Sequence, residues 1–203
     1  MFYAGRLELE TLRGGLWRWT APHPDWRPID DDGEPASWPA EVGCVLYASE
    51  RHAAFIDPLA VAATPSFWSW AQERCSGREV AVLETISFHR RSRDEFITRF
   101  SASTEPPPSV IAHPLAVAEE VVYWLPEHRT LVPGDALVSN ADGELSLCPP
   151  SWLDYLAGTP DMAAMRDALR PLLELDIEIV LTSHGEPVRS QGHAALARAL
   201  DTA

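Results

Sequence analysis

The chain has 203 residues, 46% of them hydrophobic, so it can bury one substantial core and is short for two comfortable domains. Its formal net charge is -14, with 16 Lys and Arg against 30 Asp and Glu, unlike proteins that grip a phosphate backbone with clustered cations. The amino end lacks the charged and apolar regions of a secretory leader and no apolar run reaches a membrane span, so a single cytoplasmic domain over residues 1–203 is expected, with no nucleic-acid and no membrane partner.

Leu7–Leu9 and Leu16–Thr20 read as short strands around Gly14-Gly15, and an irregular segment rich in Pro, Asp and Trp runs on to Pro39. Here Trp17, Trp19, His23 and Trp26 read either as core packing or as the aromatic rim of a ligand site. Gly43–Ser49 and Ala53–Asp57 read as a hairpin. Thr64-Pro65 supplies an N-cap and a proline at the first helical position, predicting a helix that stops at Gly77. Glu79–Thr85 is an apolar run of the buried-strand type. Ser92 and Glu95, just ahead of Phe96, Ile97 and Phe100, form the pattern of a capping box. Ile86–Arg91 is therefore a strand-to-helix loop, placed where α/β sheets usually bind ligands.

Ser101–Pro108 reads as an exposed proline-rich connector, and Val110–Ala112 as a short strand. Glu120–Leu125 and Thr130–Val132 flank Pro126-Glu127-His128 as a hairpin, followed by a strand over Ala136–Ser139. Asp142-Gly143 is a turn before Glu144–Leu147. Thr159-Pro160-Asp161 opens a second helix with Met162, Met165, Leu169 and Leu172 on one face, which Pro171 shortens or kinks. Asp176–Thr182 reads as a strand leading into Ser183-His184-Gly185-Glu186-Pro187, and Gly192–Leu200 as a closing helix. The three cysteines, Cys44, Cys75 and Cys148, are far apart, which fits reduced thiols better than a disulfide framework or a zinc knuckle. Cys148 is at most a weak thiol candidate.

Four landmarks in this order resemble the metallo-β-lactamase fold superfamily: Ile56-Asp57-Pro58, the Val82-Leu83-Glu84-Thr85 strand end with its loop, Leu131-Val132-Pro133-Gly134-Asp135-Ala136-Leu137, and Thr182-Ser183-His184-Gly185. The resemblance implies a four-layered α/β/β/α sandwich and a metal-dependent hydrolase whose strand end is followed by His-x-His-x-Asp-His. Aligned without gaps from Thr85, this chain puts Ile86, Phe88, Arg90 and Arg91 at those ligand positions. A register starting at His89 places Arg91 and Arg93 at the next two. The next metal histidine falls on Ala116, three residues from His113. Asp135 and His184 remain, in the positions of the bridging aspartate and the last histidine.

Catalytic zinc takes about three protein ligands plus an open position. One carboxylate and one imidazole beside two guanidinium groups lead to an expectation of a lost metal site and no metal cofactor. Arg90 or Arg91 either pairs with Asp135 in place of the metal or points to solvent. The pocket candidates are His89, Arg90, Arg91, Asp135 and His184. The leading expectation is a non-hydrolytic member that binds a small anionic ligand near a helix amino end, or a protein partner. The alternative is a hydrolase of an ester, lactone or thioester that uses His89, Asp135 and His184 in a rebuilt site with zinc at no more than one position. A third is a structural oligomer whose old pocket is filled by Phe88 and the tryptophans; no pattern in the chain sets an oligomeric state. His184 and His89 titrate in the range of a general base. Ser183 beside His184 is poor geometry for a nucleophile pair, and there is no Gly-x-Ser-x-Gly elbow.

Overall fold

The apolar runs pair into sheets within two units of the computed structural model, which describes residues 8–29, 33–36, 38–60, 64–156 and 159–202. One unit combines the chain up to Leu83 with Arg90–Pro107; the other combines Glu84–His89 with the chain from Pro108 onward. Among the described residues no helix is long and apolar enough to cross a membrane.

In the first unit β1 (Glu8–Arg13), β2 (Leu16–Pro22), β3 (Glu41–Ala48), β4 (His52–Ile56) and β5 (Glu79–Leu83) lie side by side in sequence order. The first four are antiparallel neighbours, and β5 runs parallel to β4. Leu7, at the start of the first expected strand, lies outside the described residues. Helix α1 (Pro65–Cys75) begins as expected, with the Thr64 hydroxyl accepting the Phe67 N–H. Helix α2 (Arg93–Phe100) also begins where expected, but the capping box does not form. The Ser92 hydroxyl instead accepts the Ala60 N–H at 2.9 Å, so a tertiary donor displaces the local one.

The tryptophan-rich segment builds this unit's core. Trp19 is 0% exposed, its ring lies 5.6 Å from Phe67 and 6.4 Å from both Phe55 and Phe96, and its indole N–H donates to the Leu59 carbonyl. Trp17 meets Trp70 edge-on, with the Arg74 guanidinium over both rings. The Trp26 indole N–H is held by the Trp38 carbonyl.

In the second unit β6 (Ile111–Leu115), β7 (Glu120–Leu125), β8 (Thr130–Val132) and a later two-residue strand form a sheet. β6, β7 and β8 are antiparallel neighbours in that order. β9 (Leu137–Ser139) and β10 (Leu145–Leu147) form a separate hairpin whose turn is held by the Asn140 side chain, which accepts the N–H groups of Asp142 and Glu144. Helix α3 (Met162–Leu169) starts later than Thr159, because Asp161 caps it through the Ala164 N–H. As Pro171 dictates, it passes into a tighter helix over Arg170–Glu174. β11 (Ile179–Val180) is all that forms of the expected Asp176–Thr182 strand; it runs parallel to β8 and bridges to Val188 on its other side. Helix α4 (Gly192–Thr202) closes the chain. Val122, Leu131, Leu137, Met165, Leu169 and Leu196 centre this unit's core.

Two outcomes follow. Trp19→Ala should cost about 3–5 kcal/mol in chemical denaturation, the range for emptying a buried aromatic site. All three cysteines are buried and free, and burial pushes Cys44 and Cys148 up to about 11 and Cys75 up to about 12. An aromatic disulfide reagent at pH 8 should therefore label none of them in the native protein and all three after unfolding.

Candidate metal centre

Three segments of the second unit deliver the side chains of the site. The first follows β5, where Thr85 is 1% exposed and its carbonyl accepts the Val121 N–H at 2.7 Å, tying it to β7. Ser87–Arg90 then forms a tight helical turn rather than an extended loop. The turn brings His89 back over Thr85, with Nδ1 2.9 Å from Thr85 Oγ1. Nε2 is thereby left facing inward on a ring that is 3% exposed as a residue.

The second segment is Gly134-Asp135-Ala136, between β8 and β9. Asp135 Oδ1 lies 3.0 Å from His89 Nε2 and 3.4 Å from His184 Nε2. Both contacts are ion-pair approaches, and the oxygen has no hydrogen bond of standard geometry. Burial works to raise the Asp135 carboxyl, but the positive charge on His89 and then the hydrogen-bonding approach of His184 and His89 outweigh it and hold the pKa far below the usual carboxylate range.

The third segment follows β11. His184 sits in a loop gripped by Ser139, whose N–H donates to the His184 carbonyl at 3.1 Å and whose hydroxyl meets Thr182 Oγ1 at 2.7 Å and the Glu186 carbonyl. The close approach requires Gly185: its φ is +89°, and a Cβ there would lie 1.7 Å from the Ser139 carbonyl oxygen. The Trp152 ring packs edge-on against the His184 imidazole at 5.3 Å.

Among the described residues, His89, Asp135 and His184 form the one group of three that could hold a metal ion, with ligand atoms within 4.8 Å of one another. Tetrahedral zinc with bonds of about 2.0–2.1 Å separates its ligands by about 3.3–3.4 Å. The 3.4 Å separation matches that spacing and the 3.0 Å separation is somewhat shorter, while the buried carboxylate oxygen without a standard hydrogen bond is a donor a cation could engage. Two imidazoles and one carboxylate are an established catalytic zinc set. The residues fit the group.

The structure thus brings together three of the five sequence candidates. The other two turn to other partners. Arg90 is exposed and pairs with Asp94 at 3.0 Å, and the Arg91 guanidinium donates to the carbonyls of Gly43 and Asp57, each at 3.1 Å. Asp135 accordingly has imidazoles for charged neighbours, where one of the two readings of Arg90 and Arg91 places an arginine. The expectation of no metal cofactor is not supported, because His89 raises the count of metal donors from two to three. The ungapped alignment missed His89 since it treats the loop as extended; the signal was the Thr85-to-His89 spacing of four, one helical turn. Phe88 is 56% exposed, so it does not fill the old pocket. Cys148 is 1% exposed, with burial and then the charges of Glu120 and Asp135 suppressing its thiolate, which removes it as a nucleophile. Glu120, unremarked in the sequence, is 1% exposed and accepts the N–H groups of Gly134 and Ala136.

No protein-family model matches the chain, and no curated protein sequence does. Solved structures do match over nearly its whole length. The DIM-1 metallo-β-lactamase exposed to ceftazidime aligns over 99% of both chains at 13% identity, with a TM-score of 0.61. A metallo-β-lactamase from Erythrobacter litoralis with β-mercaptoethanol in its active site aligns over 98% of this chain and 97% of that one at 15% identity, TM-score 0.61. An NDM/FIM-1-like metallo-β-lactamase of the same organism, in its mono-zinc form, covers 99% of this chain and 98% of its own at 16% identity, TM-score 0.57. The chain has the α/β fold of the metallo-β-lactamases.

Gly185→Ala should lower the melting temperature and shift the His184 ring resonances in a two-dimensional NMR spectrum. Unchanged resonances would mean that the loop absorbs the added methyl without moving the imidazole.

Proposed function

We propose that the chain is a mononuclear metal-dependent hydrolase acting on an ester, lactone or thioester carbonyl, with His89 Nε2, Asp135 Oδ1 and His184 Nε2 as its ligands. The observation that carries this reading is the buried Asp135 oxygen at 3.0 Å and 3.4 Å from two imidazole nitrogens with no hydrogen bond of standard geometry. The shared fold with metallo-β-lactamases, one of them in a mono-zinc form, supports it.

A bound divalent ion would supply Lewis acidity to the carbonyl oxygen and lower the pKa of a water molecule toward neutrality. The protein's part is orientation. The Thr85 Oγ1 to His89 Nδ1 hydrogen bond orients the ring, and in the tautomer with the proton on Nδ1 it would leave the Nε2 lone pair for a metal. Ser139 holds the backbone of His184, and Trp152 packs against its ring.

A second reading keeps the same three residues without a metal. The His89–Asp135–His184 distances are also those of an ion-pair triad with protonated imidazoles, which would suit a non-hydrolytic protein that binds a small anionic ligand or a protein partner. Metal content separates the two. After dialysis against trace zinc, elemental mass spectrometry should find about one equivalent per chain, the one ion that three ligands and an open position hold, and none in Asp135→Ala. Ester hydrolysis should disappear with the metal in His184→Ala. A metal-free wild-type protein overturns the hydrolase reading and favours the triad. Thr85→Val should weaken zinc binding about 10- to 100-fold, read by competition with a chromogenic chelator.

A further inference from the structure

We infer that Glu120 is the positioning residue of this centre: by accepting the N–H groups on both sides of Asp135, its carboxylate sets the direction in which Asp135 presents Oδ1 to His89 and His184. The metal-binding part of this inference rests on the hydrolase reading; the orienting part does not.

The geometry is that of a clamp. Glu120 opens β7 and is 1% exposed, directly after Glu119, whose φ of +49° makes the turn into the strand. Its Oε1 accepts Gly134 N–H at 2.9 Å and its Oε2 accepts Ala136 N–H at 2.8 Å. The two oxygens of one rigid planar group therefore grip residues 134 and 136 and fix the backbone of the residue between them. Gly134 permits this. A Cβ on it would lie 2.9 Å from Glu120 Cδ and 2.8 Å from Thr85 Oγ1, the atom that holds His89. The same glycine backbone is thus approached by the group that aims Asp135 and by the group that aims His89.

A buried carboxylate is a costly way to satisfy two backbone donors, since burying an acid penalises its charged form. Burial indeed raises Glu120 to about 7, against the pull of its bonds from Ala136 and Gly134. Either protonation state keeps an acceptor lone pair on each oxygen, so the clamp survives across neutral pH. Glutamine would not reproduce it: one end of its amide is an NH2 that faces a backbone N–H donor.

The experiment compares wild type, Glu120→Gln and a core control, Leu196→Ala, which empties a fully buried position of the same unit. In metal-free protein, Glu120→Gln should move the amide resonances of Gly134 and Ala136 and the ring resonances of His89 and His184. In cobalt(II)-substituted protein it should weaken cobalt affinity about 10- to 100-fold and alter the visible d–d band. Leu196→Ala should lower the melting temperature with the band and the ring signals as in wild type. Glu120→Gln with lowered melting temperature but wild-type cobalt affinity, band and ring signals would reduce Glu120 to a structural role and overturn the inference. Should the wild type take up no cobalt, the hydrolase reading fails on its own, and the metal-free ring signals decide the orienting role: moved, it stands; unmoved, it falls. If Glu120→Gln does not fold, Glu120→Asp, one methylene shorter, is read by the same signals.

Discussion

A carboxylate taken out of water must be compensated where it stands, and Asp135 is such a carboxylate, its Oδ1 buried and without a hydrogen bond of standard geometry. The effective penalty for a buried ion is about several kcal/mol, and pairing offsets it only with good geometry. The compensation comes from His89 and His184, which lie almost a hundred residues apart in sequence. Much of the second unit's local structure brings them to one oxygen. β7 anchors Thr85, Thr85 anchors the His89 ring, and Ser139 anchors the His184 backbone across a gap that only glycine at 185 allows. Glu120 anchors the backbone of Asp135 itself.

Two of the positions where the resemblance places metal ligands have been given to other work, while Phe88 and Arg90 are exposed. Ile86 is 4% exposed and has joined the hydrophobic core of its unit, where a donor atom would have no cation to meet. Arg91 gives its guanidinium to the Gly43 and Asp57 carbonyls within the first unit, a use that suits a rigid donor fork. With those positions taken up by packing and by backbone hydrogen bonds, the described residues hold a single three-ligand group. That arrangement leaves one group that could hold an ion on a scaffold whose sequence pattern otherwise suggests none.

Elements fixed by local chemistry were legible in the chain. Thr64-Pro65, the Asp142-Gly143 turn and the apolar run of β5 each behave as their own neighbours dictate. Features fixed by tertiary partners were not. The Ser92 hydroxyl matched a capping box and was claimed by Ala60, 32 residues away. His89, a pocket candidate, falls outside the aligned ligand motif because a register drawn along an extended loop does not describe a tight turn. For Glu120 the only hint was a pair of acids, Glu119-Glu120, leading straight into Val-Val-Tyr-Trp-Leu: an apolar strand that starts on an acid forces one carboxylate inward unless the turn points both out. Which of the two turned inward depended on the positive φ at Glu119, which the residue type does not announce.

On the proposed reading, the composition of the site also sets its charge. One carboxylate and two neutral imidazoles carry a single negative charge, so a divalent ion held by them leaves a net positive charge in a buried place. In low-dielectric surroundings that charge acts strongly on whatever approaches. Carbonyl hydrolysis develops negative charge on oxygen, so a site left positive favours the transition state over the neutral ground state. A fuller set of carboxylate ligands would cancel that charge. Glu120 is a buried carboxylate that could do so, and its oxygens are instead occupied by two backbone N–H groups, while burial pushes it toward the neutral acid. Directing Glu120 at the backbone keeps it out of the ligand set and keeps the electrophilic character of the centre.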